Sequence, residues 1–218
     1  MEAIERYITH QNWITLTLII IGVAIALAHF SDRKRLKSLF ILIFNKFYFS
    51  DFNFSSGDLL KWFNILLLIV SILTLGLLTM KINDVTGILN AKSSVFLFLK
   101  LIGFISVFLI IKYIIEQTLA KIFKIGTWYQ TFAYVKTSYF LGFHLIFLLV
   151  LIPSLYYFKD NATYIYFTGI IYVILLILRY IHVFNYFSKV LTSFLFYFIL
   201  YLCILEIAPF ILMYKWVI

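Results

Sequence analysis

Six apolar runs, each long enough to cross a bilayer, are the strongest constraint in this 218-residue sequence. A hydrocarbon core about 30 Å thick takes about 20 helical residues per crossing. Trp13–Phe30, Leu59–Met80, Val95–Ile115, Ser138–Phe158, Tyr164–Phe187 and Leu195–Trp216 all approach or exceed that length. The runs are apolar on every side, which excludes the alternating strands of an outer-membrane barrel. With 64% hydrophobic and only 12% charged residues, the chain has about half the charge of a soluble domain. The expected fold class is all-α: one polytopic membrane bundle over residues 1–218, with about six transmembrane helices joined by amphipathic interfacial linkers.

The first run lacks a small-residue cleavage site and is followed, not preceded, by the basic stretch SDRKR. It reads as a retained span and not as a secretory leader. The single cysteine, Cys203, lies inside the last run, so no disulfide or cysteine-based zinc site is expected within one chain. The net charge of +9 is spread along the edges of the runs. That distribution suits orientation signals and lipid headgroups, not nucleic acid.

Two connecting segments are basic and amphipathic. After the first run, Leu36, Leu39, Phe40, Ile43 and Phe47 recur at helical spacing beneath Arg33, Lys34, Arg35 and Lys37. A helix lying in the interface and touching lipid headgroups through those four basic residues is expected there. The second segment, LAKIFKIGTWYQTFAYVK, is read in the same way. Between them, Asp58 is placed to cap the second span, and Lys112 and Glu116 share a face at the end of the third. The turn Lys159-Asp160-Asn161 is too short for anything but an antiparallel hairpin between the fourth and fifth spans.

The loops on one side carry Arg33, Lys34, Arg35, Lys37, Lys46, Lys61, Lys112, Lys121, Lys124, Lys136, Arg179 and Lys189; the other side has Arg6, Lys81, Lys92, Lys100, Lys159 and Lys215. This bias puts the first side in the cytoplasm and both termini outside. No repeat relates the first three spans to the last three, so an inverted-repeat transporter is not indicated.

The polar centre is expected in the last two spans. Glu206 sits in the middle of YLCILEIAPF, and an acid there calls for a partner or a function. Arg179 and His182 share a face of the fifth span with Tyr172, Leu175 and Tyr186, and His144 lies in the fourth. Counted from the span midpoints, Glu206 and Arg179 differ in level by about 7 to 8 Å, which a long Arg side chain largely bridges. Pro153 and Pro209 are the only prolines, and each is expected to kink its helix and free a carbonyl one turn back. His144 and His182 at comparable depth form a pair able to ligate haem or relay protons, weighed against simple polar packing. Without further motif the packing reading is preferred, and no cofactor or metal is expected.

The ending YLCILEIAPF, preceded by the aromatic run from Ser193 to Tyr201 and by the Arg179 helix, resembles an uncharacterised family of multi-pass inner-membrane proteins of Bacteroidota. The resemblance implies Tyr201, Cys203, Glu206 and Pro209 as signature positions, a bacterial inner membrane and no assigned activity. No nucleophile–base set, phosphate loop or HExxH run occurs, so no enzyme is expected. The sequence thus points to a non-enzymatic accessory or scaffold subunit of a cell-envelope complex. Its partners would be the lipid bilayer and another membrane protein or a second copy of the chain. The alternative is a small proton-coupled transporter using the Glu206 and Arg179 centre.

Overall fold

A computed structural model describes residues 12–42, 61–87, 94–122, 126–158 and 161–191. They form six helices: α1 (Asn12–Ser31), α2 (Arg33–Ile41), α3 (Trp62–Thr86), α4 (Val95–Ile122), α5 (Gly126–Tyr156) and α6 (Ala162–Leu191). The architecture is an all-α helical bundle, with no strand among the described residues. All but α2 contain a stretch long and apolar enough to cross a membrane. The expected span Leu195–Trp216 lies outside the described residues.

Local chemistry sets the breaks. Asp32 separates α1 from α2: its carboxylate accepts the Arg35 N–H at 3.0 Å and caps the second helix. At the far end of α3, Gly87 takes φ 64°, and its N–H donates to the Asn83 carbonyl at 2.8 Å. A left-handed residue at that place is a glycine because it carries no Cβ penalty. Pro153 lies in the last turn of α5, and the helix runs past it to Tyr156.

Helix α5 packs against α2, α3, α4 and α6, and α3 against α1, α4, α5 and α6, while α1 lies chiefly on α3. Four consecutive residues, Phe132, Ala133, Tyr134 and Val135, are buried. In a helix this is reached only when neighbours close every side. The expectation of an interfacial linker from Leu119 to Lys136 is therefore corrected. Its first residues close α4, and its second half is the enclosed opening stretch of α5.

The helices differ in length, and their contacts fix where the excess falls. Tyr156 near the end of α5 donates to the Thr15 hydroxyl near the start of α1 at 2.9 Å. Trp13 meets Phe98 at 5.0 Å between ring centroids, and Phe98 packs against Gly76. The start of α1, the start of α4 and the end of α5 are thus level at that end, while α3, met there at Gly76, runs on to Thr86. The 20 residues of α1 rise about 30 Å and the 31 of α5 about 46 Å. Helix α5 therefore overshoots α1 by about 16 Å at the opposite end, where α2 lies. Exposed aromatics mark both rims: Phe96 and Tyr157 at the aligned end, Phe30 and Trp62 at the α2 end. Trp and Tyr concentrate at membrane–water boundaries for their amphipathic rings.

Helix α2 turns its apolar stripe inward. Leu36, Leu39 and Leu42 are buried, whereas Phe40 and Ile41 are exposed; Ile43 and Phe47 lie outside the described residues. Its backbone reaches α5 at Gly142, where a Cβ would stand 3.1 Å from the Leu39 carbonyl oxygen. Replacing Gly142 with Leu should lift α2 off α5 and cost about 1 to 3 kcal/mol, the usual range for overpacking. Gly22→Leu, at a site with no heavy atom near the added Cβ, is the control. Thermal unfolding in detergent together with trypsin cleavage at Arg33 and Lys34 reads the effect. Equal behaviour of the two variants would show that α2 does not dock there.

Candidate functional site

The α2 end of the bundle gathers the buried charges. Glu116, on α4, receives Lys136 Nζ from α5 at 2.6 Å and the Tyr129 hydroxyl at 3.2 Å. Both ionic side chains are mostly buried. Lys136 and Tyr129 are seven positions apart on α5, so they lie on one face above and below the carboxylate. Sequence spacing had pointed only to Lys112, four residues before Glu116 on the same helix. The cross-helix partners became visible once the α4–α5 hairpin was in place, since its antiparallel register brings positions before and after the turn level.

Arg35 behaves differently from the other basic residues of α2. Arg33, Lys34 and Lys37 are exposed, as headgroup contacts require. Arg35 is only 4% exposed, donates from Nη2 to the Tyr134 hydroxyl at 2.8 Å, and stands 5.0 Å from the centre of the Phe63 ring. It ties α2 to α3 and α5.

The second polar group lies between α5 and α6. Tyr172, Arg179 and His182, which share a face of α6, all meet α5. The Arg179 guanidinium lies 4.9 Å from the centre of the Phe140 ring and 5.5 Å from that of Tyr180. Arg179 is 7% exposed, and its Nε has no hydrogen-bond partner. Among the described residues no carboxylate lies within ion-pair distance of it. One helical turn along α5, His144 places Nδ1 2.7 Å from the Phe140 carbonyl and Nε2 3.4 Å from the Tyr172 hydroxyl. A neutral ring with its proton on Nδ1 satisfies both contacts.

His182 stacks on Tyr139, with centroids 5.5 Å apart, and stands 6.2 Å from Phe143. The two histidines are thus packed on different aromatics, His144 against Phe140 and Tyr172, His182 against Tyr139 and Phe143. Haem ligation through His144 would require breaking one of its two contacts. Among the described residues there is no group of three or more His, Cys, Asp or Glu arranged to hold a metal ion. Glu206, Pro209, Cys203 and Tyr201 lie outside the described residues.

Chemically, the two groups differ. The Glu116–Lys136–Tyr129 cluster is internally neutralised and joins two helices. The Arg179 group holds a buried cation whose face is covered by an aromatic ring and whose Nε donor is unused.

Neutralising one partner of the first cluster should strand the other charge. Glu116→Gln or Lys136→Met is expected to cost about 3 to 5 kcal/mol, the range for breaking a buried pair. The double variant should lose at least about 1 kcal/mol less than the two single losses added together. Denaturation in detergent of the four proteins measures this. Strict additivity would mean that the two residues do not act on each other.

A family model described as "Domain of unknown function (DUF4271)" matches residues 14–217. No curated protein and no solved structure matches the chain.

Proposed function

The chain belongs to this uncharacterised domain family, and from that premise we propose that it is a non-enzymatic accessory or scaffold subunit of a cell-envelope complex in a bacterial inner membrane. The observation that carries the reading is the way its buried charges are used. Glu116, Lys136 and Tyr129 bind one another, and Arg35 binds Tyr134, so both sets join helices. Polar groups placed this way act as interhelical glue. Much of the outer surface of α4 and α6 is apolar, including Phe104, Val107, Ile110 and Ile114 on the former and Val173, Ile174 and Ile177 on the latter. Such faces meet either lipid or the helices of another membrane protein.

Mild-detergent purification of the tagged protein from its own membranes tests this. A membrane protein recovered in fixed ratio, whose own level falls when this chain is deleted, is the expected result. A lone chain that carries protons across liposome membranes, read with an internal pH dye, would replace the scaffold with the proton-coupled transporter.

The exposed Arg33, Lys34, Lys37, Lys61 and Lys121 all belong to the α2 end, which supports a cytoplasmic location for it and periplasmic termini. In a Cys203→Ser background, an impermeant maleimide should label Asp160→Cys but not Lys37→Cys in intact cells. The reverse pattern would invert the topology.

A further inference from the structure

We propose that α2 is a short re-entrant helix whose outward face binds an anionic phospholipid of the leaflet at that end, the phosphate on Arg33, Lys34 and Lys37 and an acyl chain along Phe40 and Ile41. This goes beyond the scaffold reading and stands independently of it.

Two contacts with α5 give the direction of α2. Arg35 donates to the Tyr134 hydroxyl, and the Leu39 carbonyl lies against Gly142. Along α5 these points are eight residues apart, about 12 Å, and along α2 four residues, about 6 Å. Helical side chains lean toward the N-terminus of their own helix, so Arg35 covers the difference by reaching back. Helix α2 therefore advances along α5 toward Tyr156. Helix α1 runs the opposite way, since its start is the part that meets Tyr156. With Asp32 alone between the two helices, the chain reverses and returns beside α5.

The depth follows from the rim. Arg35 lies over the ring of Phe63, next to the exposed Trp62. From that level Leu39 is about 6 Å and Leu42 about 10 Å further toward the Tyr156 end. A headgroup layer is about 5 to 8 Å thick on each side of the hydrocarbon core. The tip of α2 thus passes through that layer into the region of the acyl chains.

The outward face changes in the same order. Arg33, Lys34 and Lys37, three and four positions apart, are exposed on the first turns, and Phe40 and Ile41 are exposed one turn further on. A helix lying flat in the interface separates charged from apolar residues around its circumference. In α2 the inner side is occupied by the buried Leu36, Leu39 and Leu42, and the outer side passes from basic to apolar along the axis, as a leaflet passes from headgroup to chain. Among the described carboxylates, Asp32 caps α2, Asp84 stands near Lys81, and Glu116 is held by Lys136. The three exposed cations form no ion pair with any of them. Clustered cations beside an apolar surface complement a lipid of net negative charge and not a zwitterionic one.

The full chain in bilayers provides the test. In a Cys203→Ser background, nitroxides at Lys34→Cys and Ile41→Cys should differ in depth by at least about 8 Å, read by oxygen and nickel relaxation, with the second deeper. Equal depths would show that α2 lies flat and overturn the proposal. After passage through nanodiscs of phosphatidylcholine with a minority of phosphatidylglycerol, the protein should carry phosphatidylglycerol into the native mass spectrum. The triple variant Arg33→Gln, Lys34→Gln, Lys37→Gln should retain at least about tenfold less, with unchanged thermal unfolding. Lys100→Gln, exposed at the opposite end on α4, should behave as the unaltered chain. Should the triple variant unfold early, Lys37→Gln alone replaces it, with at least about a twofold loss expected. Equal retention by the variant that folds, or phosphatidylcholine retained as strongly as phosphatidylglycerol, would overturn the lipid site.

Discussion

The enclosure of α5 is the constraint on which the rest of the structure depends. A helix exposed to lipid on one side can leave an apolar stripe there; a helix surrounded on all sides must match every residue to a neighbour. Its opening half nevertheless carries hydroxyls, an amine and, further on, an imidazole. Each buried polar atom there incurs a desolvation cost unless another helix answers it. Lys136 and Tyr129 therefore fix where Glu116 of α4 must stand, and Tyr134 fixes Arg35 of α2. Phe140 and His144 then set the face that α6 presents through Arg179 and Tyr172. The polar residues of one helix act as addresses for its neighbours, which apolar packing in a membrane supplies only weakly.

Helix lengths add a second consequence. With α1 and α5 aligned at one end by Tyr156 and Thr15, the extra length of α5 emerges at the other. That is the end where Arg35 and Glu116 are bound. The enclosed part of α5 is thus covered by α2, α4 and the later turns of α6, which contribute Val183 to the core. A segment with Lys136, three Tyr and three Thr would be poorly suited to face lipid. Packed among helices, its Lys136, Tyr129 and Tyr134 find partners on α4 and α2.

The sequence made the bundle legible because the length of an apolar run is almost sufficient to identify a spanning helix. It placed α1, α3 and α6 to within a turn or so at most ends, and the hairpin between α5 and α6 followed from the brevity of their connection. The linker through Trp128 was misplaced for a physical reason. Its mixture of Lys, Tyr and apolar residues has the composition of an interfacial helix, and composition alone does not distinguish a helix flanked by headgroups from one flanked by other polar helices. Arg35 was hidden by its neighbours: among Arg33, Lys34 and Lys37, nothing in the sequence marks the one that turns inward. The face of α6 bearing Tyr172, Arg179 and His182 was legible, because helical spacing fixes it without reference to any other helix.

The buried cations sort by side-chain chemistry. Each buried lysine has a carboxylate close by: Lys136 with Glu116 at 2.6 Å, Lys81 with Asp84 at 4.0 Å. An ammonium is a compact, strongly hydrated charge, and little short of a counter-charge compensates the loss of its water. The two arginines at the helix interfaces lie on aromatic rings instead, Arg35 on Phe63 and Tyr134, Arg179 on Phe140 and Tyr180. A guanidinium is flat and weakly hydrated, so a ring can replace the water over its face. The edge of the plane is another matter, because its N–H groups need acceptors in the plane. Arg35 has the Tyr134 hydroxyl there, at 2.8 Å. Arg179 shares the stacking but leaves Nε unanswered among the described helices, and that is the difference between two otherwise similar arginines.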